Sequence, residues 1–295
     1  MKKSYIHSLI KLLISMTIFG TIGLFVRYIS LPSSVIALVR GVIGSIFLLI
    51  LMALRKHKIN TQSIRNNLWY LIASGICIGF NWIFLFEAYR FTSIAVSTLC
   101  YYMAPVFVIL VSPVFLKETL NFKKVACIVC ALIGMVFISG VFNLKDFKIS
   151  ELKGIMFGLL AAALYASVMI FNKKMIKIDA YDKTVFQLII SALTLIPYCL
   201  LTVKYKELSF NTVGIFALIF VGIVHTGFTY FLYFGSMDNL KAQTVAVLSY
   251  LDPMLAVIIS AFLLKEGMTW HIYPGTILIL GSAIFLEIPL KRRKQ

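Results

Sequence analysis

The stretch GFNWIFLFEAYRFTSIAVSTLCYYMAPVFVILVSPVFLKE, residues 79–118, returns 148 residues later as GFTYFLYFGSMDNLKAQTVAVLSYLDPMLAVIISAFLLKE, residues 227–266. No gap is needed. Gly79-Phe80 meets Gly227-Phe228, Phe86 meets Phe234, Tyr102 meets Tyr250, Pro105 meets Pro253, Ser112 meets Ser260, and Leu116-Lys117-Glu118 meets Leu264-Lys265-Glu266. Nine identities in 40 positions is a weak score for apolar sequence, which resembles itself through composition alone. The rare residue types carry the argument, because a Tyr-x-x-Pro inside an apolar run and a Lys-Glu at its end recur in register.

Working outward, each copy falls within a set of five apolar runs. They lie near 8–29, 34–54, 68–89, 94–115 and 123–141, then near 154–173, 184–203, 213–234, 243–264 and 271–290. Each is close to the roughly 20 residues that a helix needs to cross the hydrocarbon core. The runs are continuous rather than alternating, so they read as helices and not as barrel strands. The expected architecture is an all-α polytopic membrane protein of ten transmembrane helices, divided into five-helix units at 1–143 and 144–295. Five is odd, so the second unit enters the membrane upside down, which makes the pair an inverted-topology repeat of the kind found in secondary transporters.

Composition agrees. Apolar residues make up 61% of the 295 and charged residues 13%, with a mean hydropathy of +0.96. Soluble domains carry about 25% charged residues. The net charge of +17 does not imply a nucleic-acid partner, because the basic residues sit in short runs between apolar stretches, as in Arg55-Lys56-His57-Lys58 and Lys291-Arg292-Arg293-Lys294. With the amino terminus in the cytoplasm, nineteen Lys and Arg fall on that side, eight on the other, and Arg40 within a span. That asymmetry puts both termini inside, in a plasma (inner) membrane. Lys2 and Lys3 before an apolar run resemble a signal peptide, but no small-residue cleavage site follows and the run reads as the first span.

The five cysteines lie in apolar segments. Cys127-x-x-Cys130 has no second pair and no nearby histidine, so no disulfide, metal or cofactor is expected. His225 is the one histidine at membrane depth and reads as a packed neutral side chain. Gly75-x-x-x-Gly79 and Gly154-x-x-x-Gly158 predict close helix approach. Glu118 and Glu266 lie just before the next helices, where a negative charge suits the dipole, and Thr119, Asn121 and Thr269 are candidate caps.

Polar groups inside the spans point to function. Pro105 and Pro253 lie near the middle of spans four and nine, where each predicts a helix kink facing protein or a water-filled cavity. Asp252 precedes Pro253 and is the acid placed deepest in any span; its repeat mate is Ala104. A charge there costs about 2.5–3.5 kcal/mol on insertion scales, so it serves a pathway or a partner. It could bind a substrate cation, accept a coupling proton, or pair with Arg40 in span two. Glu87, near the outer end of span three, is a weaker candidate for coupling or ion pairing. Asn81, Trp82, Tyr101, Tyr102, Tyr165, Asn172, Tyr230, Ser249 and Tyr250 could line a central substrate cavity with Asp252. Tyr5, Trp69, Tyr70 and Trp270 fit interfacial belts instead.

The sequence resembles the EamA domains of the drug/metabolite transporter superfamily. The resembling stretches run from Ala88-Tyr89 through CYYMAPVFVILVSPVFLKETL and from Ser236-Met237 through LSYLDPMLAVIISAFLLKEGM, with Arg40, Tyr165 and Asn172-Lys173-Lys174 at matching positions. It departs at Lys117 and Lys265, where that family commonly has glycine. The resemblance implies ten helices, cytoplasmic termini, a cavity lined by spans one, three, four, six, eight and nine, and export or exchange of amino acids and other metabolites. The expected function is therefore a secondary, ATP-independent transporter that binds a small solute in the bilayer, a monomer being sufficient. A proton or counter-substrate would couple the movement. The alternatives are a non-transporting receptor or assembly subunit, or a membrane enzyme. An enzyme would need a nucleophile–base pair or a metal set such as H-E-x-x-H, which the four scattered histidines do not supply.

Overall fold

Apolar runs without polar interruption leave the backbone no partner but itself, so in lipid they close into helices. A computed structural model describes residues 2–92, 94–138, 152–204, 206, 208–264, 270 and 272–288. Its regular structure is helical, with no strand among the described residues. The order is α1 (Lys2–Gly20), α2 (Ile22–Val26), α3 (Ser33–Leu54), α4 (Thr61–Asn66), α5 (Leu68–Phe91), α6 (Ile94–Tyr101), α7 (Ala104–Leu116) and α8 (Phe122–Ile138). Then follow α9 (Leu152–Lys174), α10 (Ala180–Thr202), α11 (Thr212–Phe220), a π-helical segment (Val221–Phe228), α12 (Thr229–Ser236), α13 (Ala242–Leu248), α14 (Leu251–Leu264) and α15 (Ile272–Glu287). Among the described residues seven stretches are long and apolar enough to cross a membrane; the described parts of α8, α14 and α15, where further spans were expected, are shorter.

Caps fix several helix ends. Asn60 Oδ1 accepts from Ser63 N at 3.0 Å, Asp179 Oδ1 from Tyr181 N at 2.8 Å, and Asn121 Oδ1 from Lys124 N at 2.9 Å. The last of these meets the expectation for Asn121. After α3, α7 and α9 the chain turns through Lys56, Lys117 and Lys177, each with φ near +50° (52°, 55° and 50°). Glycine is the usual occupant of that left-handed position. Lysine there adds a cation beside the carbonyl end of the helix, which favours positive charge.

Glu118 corrects an expectation. Its carboxylate does not serve the start of α8 but accepts from Ala242 N (2.7 Å) and Gln243 N (3.3 Å) at the start of α13. The turn at Lys117 aims it there, 124 residues away in sequence. Lys265, Glu266, Thr269 and the basic tail 291–294 lie outside the described residues.

The helix contacts come in exchanged pairs. Here α5 packs on α9 and α1 on α12; α5 packs on α10 and α3 on the π segment; α6 and α7 pack on α9, and α1 on α14. Three further contacts, α3 with α10, α7 with α13 and α8 with α15, join the two sets directly. Glycine makes two of the crossings. A Cβ added to Gly79 would lie 2.7 Å from the Thr194 Cβ on α10, and one added to Gly44 would lie 2.9 Å from the Gly227 backbone nitrogen. Large apolar side chains stay uncovered around the bundle, Phe122 (89% exposed) and Leu201 (87%) among them, as lipid contact requires.

Candidate substrate chamber

Two breaks create the site. Between α6 and α7 the chain turns through Tyr102 and Met103, and between α13 and α14 through Ser249 and Tyr250. The kinks expected near Pro105 and Pro253 take the form of two-residue turns that keep helical bonds, Tyr102 N to Thr98 O and Ser249 N to Val245 O, each at 2.9 Å. Each proline occupies the first turn of the new helix, where its missing N–H removes no bond. The second break places Asp252 in the first turn of α14, where the helix dipole favours a carboxylate.

Aromatic rings line the space between the breaks. Tyr101 lies 5.7 Å from Tyr165 and 5.8 Å from Tyr102 between ring centroids, and Tyr102 lies 6.3 Å from Tyr250. Trp82 meets Tyr230 edge-on at 6.3 Å. The Tyr250 hydroxyl donates to the Tyr102 carbonyl at 2.8 Å. Both Trp82/Tyr230 and Tyr102/Tyr250 are positions 148 apart in sequence, so equivalent residues of the two copies touch each other. Tyr101, Tyr102, Tyr165, Tyr230 and Asp252 are surrounded by protein yet keep accessible surface, so that surface faces an internal space.

The two deep charges face this chamber without meeting. The Arg40 guanidinium lies over the Trp82 ring, 4.4 Å from its centroid, and its buried Nε has no hydrogen-bond partner. Among the described residues no ion pair within 4.0 Å joins Arg40 to Asp252, and the Asp252 carboxylate has no bonded partner. Tyr101 and Tyr230 lie in the field of both charges.

Other predicted residues divide. Asn81 is buried and donates to the Ala161 carbonyl at 2.6 Å, a strut between α5 and α9 that also reaches Tyr101. Ser249 is buried, donates to Val245 O at 2.8 Å and reaches the Tyr233 hydroxyl. Asn172 lies two helical turns from Tyr165, roughly 10 Å along α9, and donates to Val168 O. Its buried Oδ1 has no partner. Glu87 is held elsewhere. It accepts from the Tyr198 hydroxyl at 2.5 Å and from Arg90 Nη1 at 2.9 Å, beside an outer cavity of about 610 Å³ lined in part by Phe86, Arg90 and Tyr198.

Two residues packed on these rings escape the sequence reading. Phe19 packs on Tyr230 at 5.3 Å and on Tyr233 at 6.0 Å, and the Tyr165 hydroxyl donates to Tyr233 at 2.7 Å. Tyr233 lies three residues after Tyr230, on the same helix face, and that spacing could have pointed to it. Phe19 carries no such signal in an apolar run.

The model of the EamA-like transporter family matches residues 7–140 and again 152–288. The chain belongs to the EamA-like transporter family. Its relatives include the uncharacterized transporter YxxF of Bacillus subtilis (strain 168), 31% identical over 254 residues that cover 85% of this chain and 80% of that one. The uncharacterized transporter YoaV of the same organism is 24% identical over 266 residues, 90% of each chain. A crystal structure of a protein 18% identical superposes with a TM-score of 0.83, covering 95% of this EamA-family chain and 96% of the other, which speaks to the fold. Family and apolar helices together make this a multi-pass membrane transporter, with a small-molecule substrate and the bilayer as its partners.

Proposed function

We propose that this EamA-family protein moves a zwitterionic metabolite of the amino-acid class, as an exporter or exchanger, by alternating access to the chamber between its two halves. The observation that carries the proposal is the pair of unmatched, opposite deep charges, Arg40 and Asp252, flanking the same tyrosines. A free α-amino acid carries a carboxylate and an ammonium a few ångströms apart. Seated between the two, it would satisfy both charges at once and offer its side chain to the aromatic rings. Tyr101, Tyr102, Tyr165 and Tyr230 would form the lining, backed by the buried Asn81, Trp82, Ser249 and Tyr250. Asn172 lies toward the amino-terminal end, and Glu87 serves the opposite mouth.

The halves, 1–143 and 144–295, are proposed as five-span repeats of inverted topology that rock against each other, ten spans in all. The exchanged helix contacts, the touching positions 148 apart and the twofold family match support that reading. The charge asymmetry supports cytoplasmic termini. Asp252 is also the group best placed to take a coupling proton, a counter-substrate being the other route. The test is uptake of labelled amino acids into proteoliposomes. The wild type should exceed protein-free vesicles at least tenfold, and Asp252→Asn should return to background while keeping its thermal midpoint. Wild-type flux in that variant would remove Asp252 from the mechanism.

A further inference from the structure

We infer that the corner between α4, α5 and the loop after α9 is a binding site for the phosphodiester of an anionic phospholipid headgroup. A cavity of about 450 Å³ lies there, lined by Asn60, Gln62, Asn66, Tyr70, Lys174 and Lys177 among others. That size suits a headgroup-scale ligand. The lining residues are four amides, a serine, a tyrosine, an isoleucine and two lysines, with no carboxylate. Neither the Lys174 nor the Lys177 ammonium group has a hydrogen-bonded or ion-pair partner among the described residues. Two free cations and several amide donors around one hollow fit a phosphate, which offers only acceptors.

The corner is built to hold that shape. Asn67 Nδ2 donates to Ile176 O at 2.9 Å, Ile176 N donates to Asn67 Oδ1 at 2.9 Å, and Ser63 Oγ donates to Lys177 O at 2.5 Å. These bonds tie the loop that carries the lysines to the α4–α5 corner. Lys177 is in the left-handed region at φ 50°, where glycine would fit with less strain.

The lipid source is favoured by what surrounds the hollow. Trp69 (82% exposed) and Ile176 (70% exposed) stand uncovered beside it, with Leu68 and Ile59 also exposed. An exposed tryptophan marks the interfacial level, where acyl chains leave the headgroups. The same end of the bundle carries most of the basic residues, and basic pockets between helices on that side suit anionic headgroups.

The experiment uses the full-length purified chain in detergent, titrated with short-chain phosphatidylglycerol, phosphatidylcholine or inorganic phosphate while thermal unfolding is followed. Phosphatidylglycerol should raise the midpoint of the wild type by several degrees, and phosphatidylcholine and phosphate should not. Each lysine removed should weaken that effect about fivefold in lipid concentration, and K174Q/K177Q roughly thirtyfold. Lys177→Gly should keep or raise the lipid-free midpoint, because it relieves the left-handed backbone, yet should lose lipid affinity like Lys177→Gln. Lys56→Gln with Lys58→Gln removes two charges from the same end and should leave the response intact. An unchanged response in K174Q/K177Q, or an equal loss in the Lys56/Lys58 variant, overturns the site. Equal stabilisation by inorganic phosphate overturns the lipid as its ligand.

Discussion

The two ends of the bundle are built differently. At the amino-terminal end, polar side chains tie distant helices together. Lys183 meets Asp238 at 2.7 Å, His57 meets Asp182 at 3.1 Å, and Lys173 Nζ donates to the carbonyls of Met237 and Leu240 at 2.7 and 2.6 Å. Glu118 closes on the start of α13. Gln243 donates to Ser112 Oγ at 2.6 Å while accepting from Lys124. At the opposite end the described residues offer far less: Tyr198 to Glu87 at 2.5 Å, Asn211 to Ser30 at 3.3 Å, and an open cavity of about 610 Å³. A carrier that exposes one site to each side in turn must have one end sealed and the other loose at any moment. Under the proposed mechanism, the described network would be the seal at the amino-terminal end.

The contrast can be broken where it is strongest. Lys183 is nearly inaccessible (1%) whereas Asp238 is half-exposed. Removing Asp238 leaves a buried ammonium without its partner, whereas removing Lys183 leaves a carboxylate that water can reach. Asp238→Asn should therefore destabilise by about 3 kcal/mol and Lys183→Met by clearly less, read by denaturant or thermal unfolding. Equal losses would mean that the pair adds nothing to the seal.

The crossings should behave alike at both ends. Gly79→Leu and Gly227→Leu each place a side chain where even a Cβ would lie 2.7 Å from the facing helix, and each should cost about 1–3 kcal/mol. Similar costs would sharpen the equivalence of the two copies; tolerance of one alone would weaken it. At the loose end, Tyr198→Phe removes one hydrogen bond to Glu87 and should cost no more than about 1–2 kcal/mol.

The smallest effect runs the other way. Lys117→Gly should stabilise the chain by up to about 1 kcal/mol, since φ 55° suits glycine better than lysine. The sequence already marked Lys117 as a departure from the glycine common in the family, and the backbone explains why glycine is common there.

Much of the fold was legible because lipid leaves a helix little choice, and apolar runs report it directly. The turns before α7 and α14 were legible through Pro105 and Pro253, each of which follows its turn within four residues. The π-helical segment Val221–Phe228 was not, because one extra residue in a turn leaves no compositional trace. Of the site, Trp82, Tyr101, Tyr102, Tyr165, Tyr230 and Asp252 could be proposed from polarity at depth. The partner of Glu118 could not, since a left-handed turn rather than any local spacing decides where its carboxylate points. Nor could the separation of Arg40 from Asp252, because a sequence places two charges at one depth without their mutual distance.

That separation makes the central claim testable in one measurement: competition by the free amino acid, its amide and its deaminated acid for binding of a labelled amino acid to the purified wild type, Arg40→Gln and Asp252→Asn. The account predicts that the wild type prefers the zwitterion at least tenfold over either analogue. Arg40→Gln should lose discrimination against the amide, and Asp252→Asn should lose it against the deaminated acid. Identical preference in all three proteins would contradict a chamber that reads two opposite charges.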